Sequence, residues 1–359
     1  MTIERYLLPE MIGYISKVAC AVNTIPTTLA SYTKFLCDMF QPPIPDVPLI
    51  PDGQIGGGSE RPRNYRPGWV DPLAFNISGR VNTHITARLG SRCLGGEVSS
   101  NAVTAAASYD ITTLTQRGSE GRLPKFSAIG FLVGGYDYIL NLAVDSMELS
   151  FEGDRNVDYT AAVRGTGYHK RAVADIAAVI PANVSGSELD AYHLMHPAGV
   201  VVTFTDGTPA TIDFGADGDL LAGRCSLGQG ISINPLPNDS FMDAADWYTG
   251  AYARDIHRTS RVPVASLDVA VRSDLADFIL TQRKKDVTNL IFKFRSADKI
   301  GVTTERYEFE WKYPVARLGR VASNPKGDVA AVSMTFEGKP DATDGFVIQR
   351  VRTDLPTIS

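Results

Sequence analysis

The chain has 359 residues, 44% hydrophobic and 21% charged, enough to bury a sizeable core in one large domain or two to three ordinary ones. Its formal net charge of −5 excludes a surface built for general nucleic-acid binding, which needs an excess of Lys and Arg. Cys20, Cys37, Cys93 and Cys225 are widely and irregularly spaced, which excludes a zinc-ligand pattern or a disulfide framework and fits free thiols in a reducing compartment.

Residues 1–40 read as one or two short helices, since Ile12, Ile15, Val18, Ala19 and Val22 fall at helical spacing and Pro26 ends the run. The apolar stretch 11–25 lacks a preceding basic region, is interrupted by Lys17 and is too short to span a bilayer, so no targeting or membrane segment is expected. From 41 to 72 the composition shifts to proline, with the run Gly56, Gly57, Gly58. Proline removes backbone donors and favours extended chain, and the glycines add slack, so residues 1–68 are expected to form a helical and Pro/Gly-rich arm.

The rest is dominated by strand signals. YDITTL (109–114), FSAIGFLV (126–133), YDYILNL (136–142), VVTFT (201–205), SLDVAV (266–271), LIFKF (290–294) and YEFEW (307–311) are short and rich in β-branched or aromatic residues, and turn residues bound most of them. Helices are expected only near 81–89, 243–252 and 273–281. Strands without alternating long helices imply a mainly β, antiparallel architecture with a few short helices.

Part of this pattern recurs. YDYILNLAVDSM (136–147) and YEFEWKYPVARL (307–318) each open on tyrosine, Tyr136 or Tyr307, with Val144 and Val315 eight residues on. A turn with Gly153 or Gly327 and a closing strand follow in each copy. Upstream, SYDITTL aligns with ASLDVAV and KFSAIGF with NLIFKF. Ordered agreement over four strands points to duplication, with modules at 69–190 and 191–359.

No phosphate loop, HExxH helix, GxSxG elbow or GxGxxG turn occurs. His193 and His196 sit three apart without a third ligand placed by sequence. The run DGTPATIDFGADGD (206–219) holds Asp206, Asp213, Asp217 and Asp219 but lacks the calcium-loop order of ligands and reads as a solvated acidic hairpin. No catalytic, cofactor-binding or metal-binding residues are assigned, and no cofactor is expected.

The order VDPLAFNISGRVNTHITARLG, ASYDITTL and LPKFSAIGFLVGGYDYILNLAVDSMELSFEGDRNVDYTAAVRGTG resembles the major tail tube proteins of long-tailed bacteriophages. The later stretch 266–353 looks like a second, more divergent pass. The resemblance implies tandem tail-tube-like β-sandwich or barrel modules behind an extended N-terminal arm. It implies a non-enzymatic virion protein of the tail, made in the host cytoplasm, whose rings share a continuous β-barrel and stack into a conduit for DNA. Implied partners are other copies of the chain, other tail proteins and DNA in transit without specific binding; no membrane is implied. Two modules per chain would give three chains per ring with pseudo-sixfold symmetry, with six chains as the alternative. The arm would clamp neighbouring subunits or rings.

On this reading the hairpin AVDSMELSFEGDRNVDYTAAVRG acquires two roles by simple alternation. Met147, Leu149, Phe151, Val157, Tyr159 and Val163 form the core face. Ser146, Glu148, Ser150, Asp158 and Thr160 occupy the other face and are the candidate residues lining an acidic, polar lumen, where Arg164 must find a partner or leave. The alternatives are another β-rich virion component, such as a tail terminator or baseplate hub protein, or a carbohydrate-binding or glycosidase β-sandwich.

Overall fold

A computed structural model of the chain describes residues 13–22, 24, 32–35, 38–40, 49–51, 65–67, 72–104, 108–116, 127–132, 136–153, 155–168, 193–205, 211–215, 219–236, 252–272, 275, 279, 286–356 and 358. Its first described elements are strands: β1 (Gly13–Ser16), β2 (Tyr32–Phe35), β3 (Met39–Phe40), and the ribbon of β4 (Leu49–Pro51) with β5 (Tyr65–Pro67). This corrects the helical reading of the N-terminal segment where it is described. Ile15 is buried in β1, which is hydrogen-bonded to Tyr32–Phe35 on one edge and to the later strand Ser127–Leu132 on the other, whereas Val18 is exposed. A strand paired on both edges satisfies its backbone more fully than a short isolated helix can.

The body begins with β6 (Leu73–Arg80) and α1 (Ile85–Leu94), the one full helix among the described residues. The helix starts four residues later than its apolar spacing suggests, because the Asn82 side-chain oxygen accepts from the backbone nitrogens of His84 (3.0 Å) and Ile85 (2.7 Å). It ends at Gly95, whose φ of 70° is left-handed. All ten helix residues are buried. Gly90 lies where a Cβ would collide with the Gln349 side chain, which donates to the Ala87 carbonyl at 2.9 Å.

After α1 come β7 (Gly95–Thr104), β8 (Ser108–Thr115), β9 (Ser127–Leu132), β10 (Tyr136–Glu152) and β11 (Val157–Tyr168). Next are β12 (Met195–Thr205), β13 (Thr211–Phe214), β14 (Leu220–Gly228), and the separate ribbon of β15 (Ile231–Leu236) and β16 (Tyr252–Arg258). The last strands are β17 (Val262–Ala270), β18 (Asp286–Lys299), β19 (Arg306–Ser323), β20 (Ala331–Lys339) and β21 (Ile348–Thr353). The strand signals of the sequence fall in β8, β9, β10, β12, β17, β18 and β19. Of the helix expected over 243–252 only Tyr252 is described, and it opens β16; over 273–281, Leu275 and Ile279 are helical.

Every ladder among the described residues is antiparallel. The order β6–β11–β10–β9 recurs as β17–β20–β19–β18, and in both sets the chain visits the outer strand, then helical residues, then the other three strands. The counterpart of β17 is therefore β6. The alignment of SYDITTL with ASLDVAV matched it to β8 instead, but β8 pairs with β21 and β7. Short alternating strands look alike in sequence, and only the hydrogen-bond partner separates them.

β14 joins the sets, pairing with β10 on one edge and β17 on the other. A single bridge between Asn82 and Leu194 brings the start of β12 to the end of β6; apart from it, the ladders of the described residues close no ring, and the sheet system stays open and branched. One hydrophobic core runs through both strand sets, from Ile15 to Ile358, with Trp311, Phe309, Phe294 and Phe336 among its fully buried side chains. A small second cluster packs Ile231, Ile233, Ala253 and Ile256 against Ala143.

Candidate functional surface

The β10–β11 hairpin turns through Gly153 at a φ of 50°, a left-handed position that favours glycine, and Gly327 holds a φ of 57° in the β19–β20 turn. Strand alternation then sorts the side chains. Met147, Leu149, Phe151, Val157, Tyr159 and Val163 are all buried in the shared core. Ser146, Glu148 and Ser150 are half-buried and Asp158 and Thr160 exposed, on the opposite face of the same strands. Asn141, with a φ of 52°, marks the irregular stretch of β10, and its side-chain nitrogen donates to the Thr166 hydroxyl at 2.6 Å. Arg164, the residue at odds with this face, pairs with Asp145 at 3.1 Å.

The polar face does not stop at the hairpin. Cross-strand partners carry it through Arg80, Asp158, Ser150, Arg224, Ser266, Thr335 and Arg320, one residue from each of β6, β11, β10, β14, β17, β20 and β19. None of these seven is buried, while Tyr159, Leu149, Cys225, Leu267 and Phe336 back them from the core side. Between Ser150, Asp158, Arg224, Ser266 and Asp268 lies a cavity of about 390 Å³.

The charge of this face is mixed, where the hairpin alone suggested an acidic one. Arg224 lies 3.6 Å from Glu148, and Arg80, Arg317 and Arg320 bring further positive charge from other strands. Burial, followed by the negative charge of Asp38, raises the pKa of Asp158, and Arg80 offsets part of that shift. At the far end Asp286 has the reverse balance. Hydrogen bonds from Lys339 (2.8 Å) and Arg317 (2.9 Å) hold its carboxyl below the usual range. The sequence missed β6 and β14 as strands. The alternation in GRCSLG, with Cys225 and Leu227 inward and Arg224 and Ser226 outward, was the signal that could have found the second of them.

Several other titratable residues are tied into local structure. His193 stacks on Tyr307 at 3.6 Å between ring centroids and contacts Asp298 at 3.0 Å, while His196 accepts from the Ala198 backbone. The two histidines thus serve different local contacts. His84 is held neutral, its pKa lowered to about 4 chiefly by burial. Asp219 of the acidic run pairs with Arg272 at 2.6 Å; Asp206 and Asp217 lie outside the described residues. Burial also pushes the Cys93 and Cys225 thiols well above their ordinary pKa. Among the described residues no group of three or more His, Cys, Asp or Glu side chains could hold a metal ion, and no helix is long and apolar enough to cross a membrane. Comparison of the chain with models of known protein families and with curated proteins finds no match in either.

Proposed function

We propose that the chain is a structural virion subunit that assembles into stacked rings forming a phage tail tube, the conduit for DNA during ejection. One observation carries the reading: a polar sheet face seven strands wide, built from two strand sets of the same order and backed everywhere by a buried core. A surface of that kind suits the wall of a wet channel better than a ligand pocket. Its serines, threonines and internally answered charges, such as Glu148 with Arg224, offer passing phosphates no concentrated basic patch on which to stick.

The open sheet supports the same reading, because strands joined across subunits would remove the edges that a lone subunit leaves unpaired. Two equivalent strand sets per chain favour three chains per ring with pseudo-sixfold symmetry. Other tail proteins would meet the ends of the tube. Negative-stain imaging of the purified protein tests the proposal. Long tubes of stacked rings with threefold chain symmetry are expected; a protein that stays monomeric or stops at isolated rings would overturn it.

A further inference from the structure

The edge that β14 fills inside the chain recurs, unfilled, in the second strand set. Along one edge of β10, β9 pairs as far as Leu142 and β14 takes over from Ser146 to Glu152. β19 is the counterpart of β10. There β18 pairs as far as Arg317, and beyond it no strand among the described residues lies on that edge of 318–323. Gly319, Arg320 and Ser323 are exposed.

A matching edge exists at the other end of the same sheet. β14 reaches the second set by pairing with β17, where Arg224 lies opposite Ser266. On β6, the counterpart of β17, the equivalent edge carries β3: Met39 lies opposite Ser78, and the Asp38 nitrogen donates to the Ser78 carbonyl at 2.9 Å. The outer edge of β3 has no strand partner among the described residues, and Met39 is 40% exposed.

We propose that β3 of one copy inserts beside residues 318–323 of β19 in a neighbouring copy, so that β19–β3–β6 between copies reproduces β10–β14–β17 within the chain. The occupant is a second copy because both half-sites are on this chain, at opposite ends of one sheet. Such a head-to-tail contact is heterologous, and it closes into a ring when the rotation permits. Both steps are antiparallel, as they are inside the chain, and the exposed backbone donors and acceptors supply the ladder.

The internal junction also sets the register. Matching Ser78 of β6 to Ser266 of β17 puts Arg80 level with Asp268 and hence Ser150 level with Ala322, in the rows Ser150–Asp158–Arg80 and Ala322–Ser333–Asp268. The internal row Ser150–Arg224–Ser266 then translates to Ala322 of one copy, Met39 of the next, and Ser78 of that same next copy. The junction deepens the tail-tube reading but rests on it only for self-association, not for stacking or for DNA.

Cysteine pairing tests the register. In a chain carrying Cys20→Ser and Cys37→Ser, the added pair Met39→Cys and Ala322→Cys is oxidised at high protein concentration and run on a non-reducing gel. A reductant-sensitive ladder of dimers and larger species is expected, absent from either single variant; mixing the two single variants should give dimers and nothing larger. Monomer alone, or equal ladders from the single variants, would overturn the junction. In the unmodified chain, amide exchange at 38–40 and 319–323 should slow about tenfold or more in the oligomer. Unchanged exchange at either segment, or a protein monomeric at every concentration, would also overturn it. Tubes without cross-links would sink the junction and leave the tail-tube reading standing, whereas cross-linked rings that never stack would do the reverse.

Discussion

The Tyr313 hydroxyl lies 2.8 Å from the Ser226 backbone nitrogen and accepts a hydrogen bond from it, so a side chain of β19 reaches the strand that joins the two sets. The same hydroxyl is 2.9 Å from the carbonyl oxygens of Ser226 and Val264 and has one proton to share between them. Burial is the main reason its pKa stands well above the ordinary value, which keeps the phenol a donor. Tyr313→Phe leaves buried backbone groups short of a partner and is expected to cost about 1–3 kcal/mol. A lower urea midpoint with an unchanged m-value is the expected readout; a midpoint equal to the parent's would refute the tie.

Gly223 of β14 lies opposite Phe151 of β10, and a Cβ built there would stand 2.6 Å from the tip of the Phe151 ring and 3.1 Å from Leu267. Gly223→Val should therefore destabilise the chain by about 1–3 kcal/mol through overpacking. Combining it with Phe151→Leu should recover part of that loss in thermal melts, since the two positions share one volume. A purely additive double variant would show that the ring is not what excludes the side chain.

Asp158 has a folded pKa raised above its unfolded value, so its ionised form opposes folding. This penalty is absent below the unfolded pKa and grows as pH rises through the folded one. Asp158→Asn should accordingly raise the melting temperature slightly at neutral pH, with the gain disappearing on acidification. An unchanged or lower melting temperature at neutral pH would contradict the assignment.

Asp286 has the opposite sign. Its folded pKa is depressed by Lys339 and Arg317, so its contribution is present above the unfolded pKa and is lost as pH falls through the folded one. The group is partly exposed, which limits the effect: Asp286→Asn should cost about 0.5 kcal/mol at neutral pH and low salt. Added salt should shrink the difference from the parent, and a salt-independent difference would point to packing instead.

The polar half of the hairpin was legible because alternation over Met147, Leu149 and Phe151 leaves few choices for Glu148 and Ser150. The width of that face was not. Arg80, Arg224, Ser266, Thr335 and Arg320 reach it from strands far apart in the chain, and a strand's own period says which side a residue takes but not which strand lies beside it. The N-terminal segment misled for a related reason. Apolar residues at helical spacing around Ile15 carried less weight than the two edges waiting to pair with β1.

Local sequence carries the strand-rich class, the alternation of the hairpin into a core face and a polar face, and the turn glycines. Those features depend on neighbours within a few residues, where sterics and apolar periodicity act directly. Only the three-dimensional fold makes β6 rather than β8 the counterpart of β17, joins the two strand sets through β14, and runs a row of polar and charged residues across seven strands. Each is a pairing between distant segments, chosen by the collective burial of one core and the satisfaction of backbone hydrogen bonds, and no local pattern encodes it.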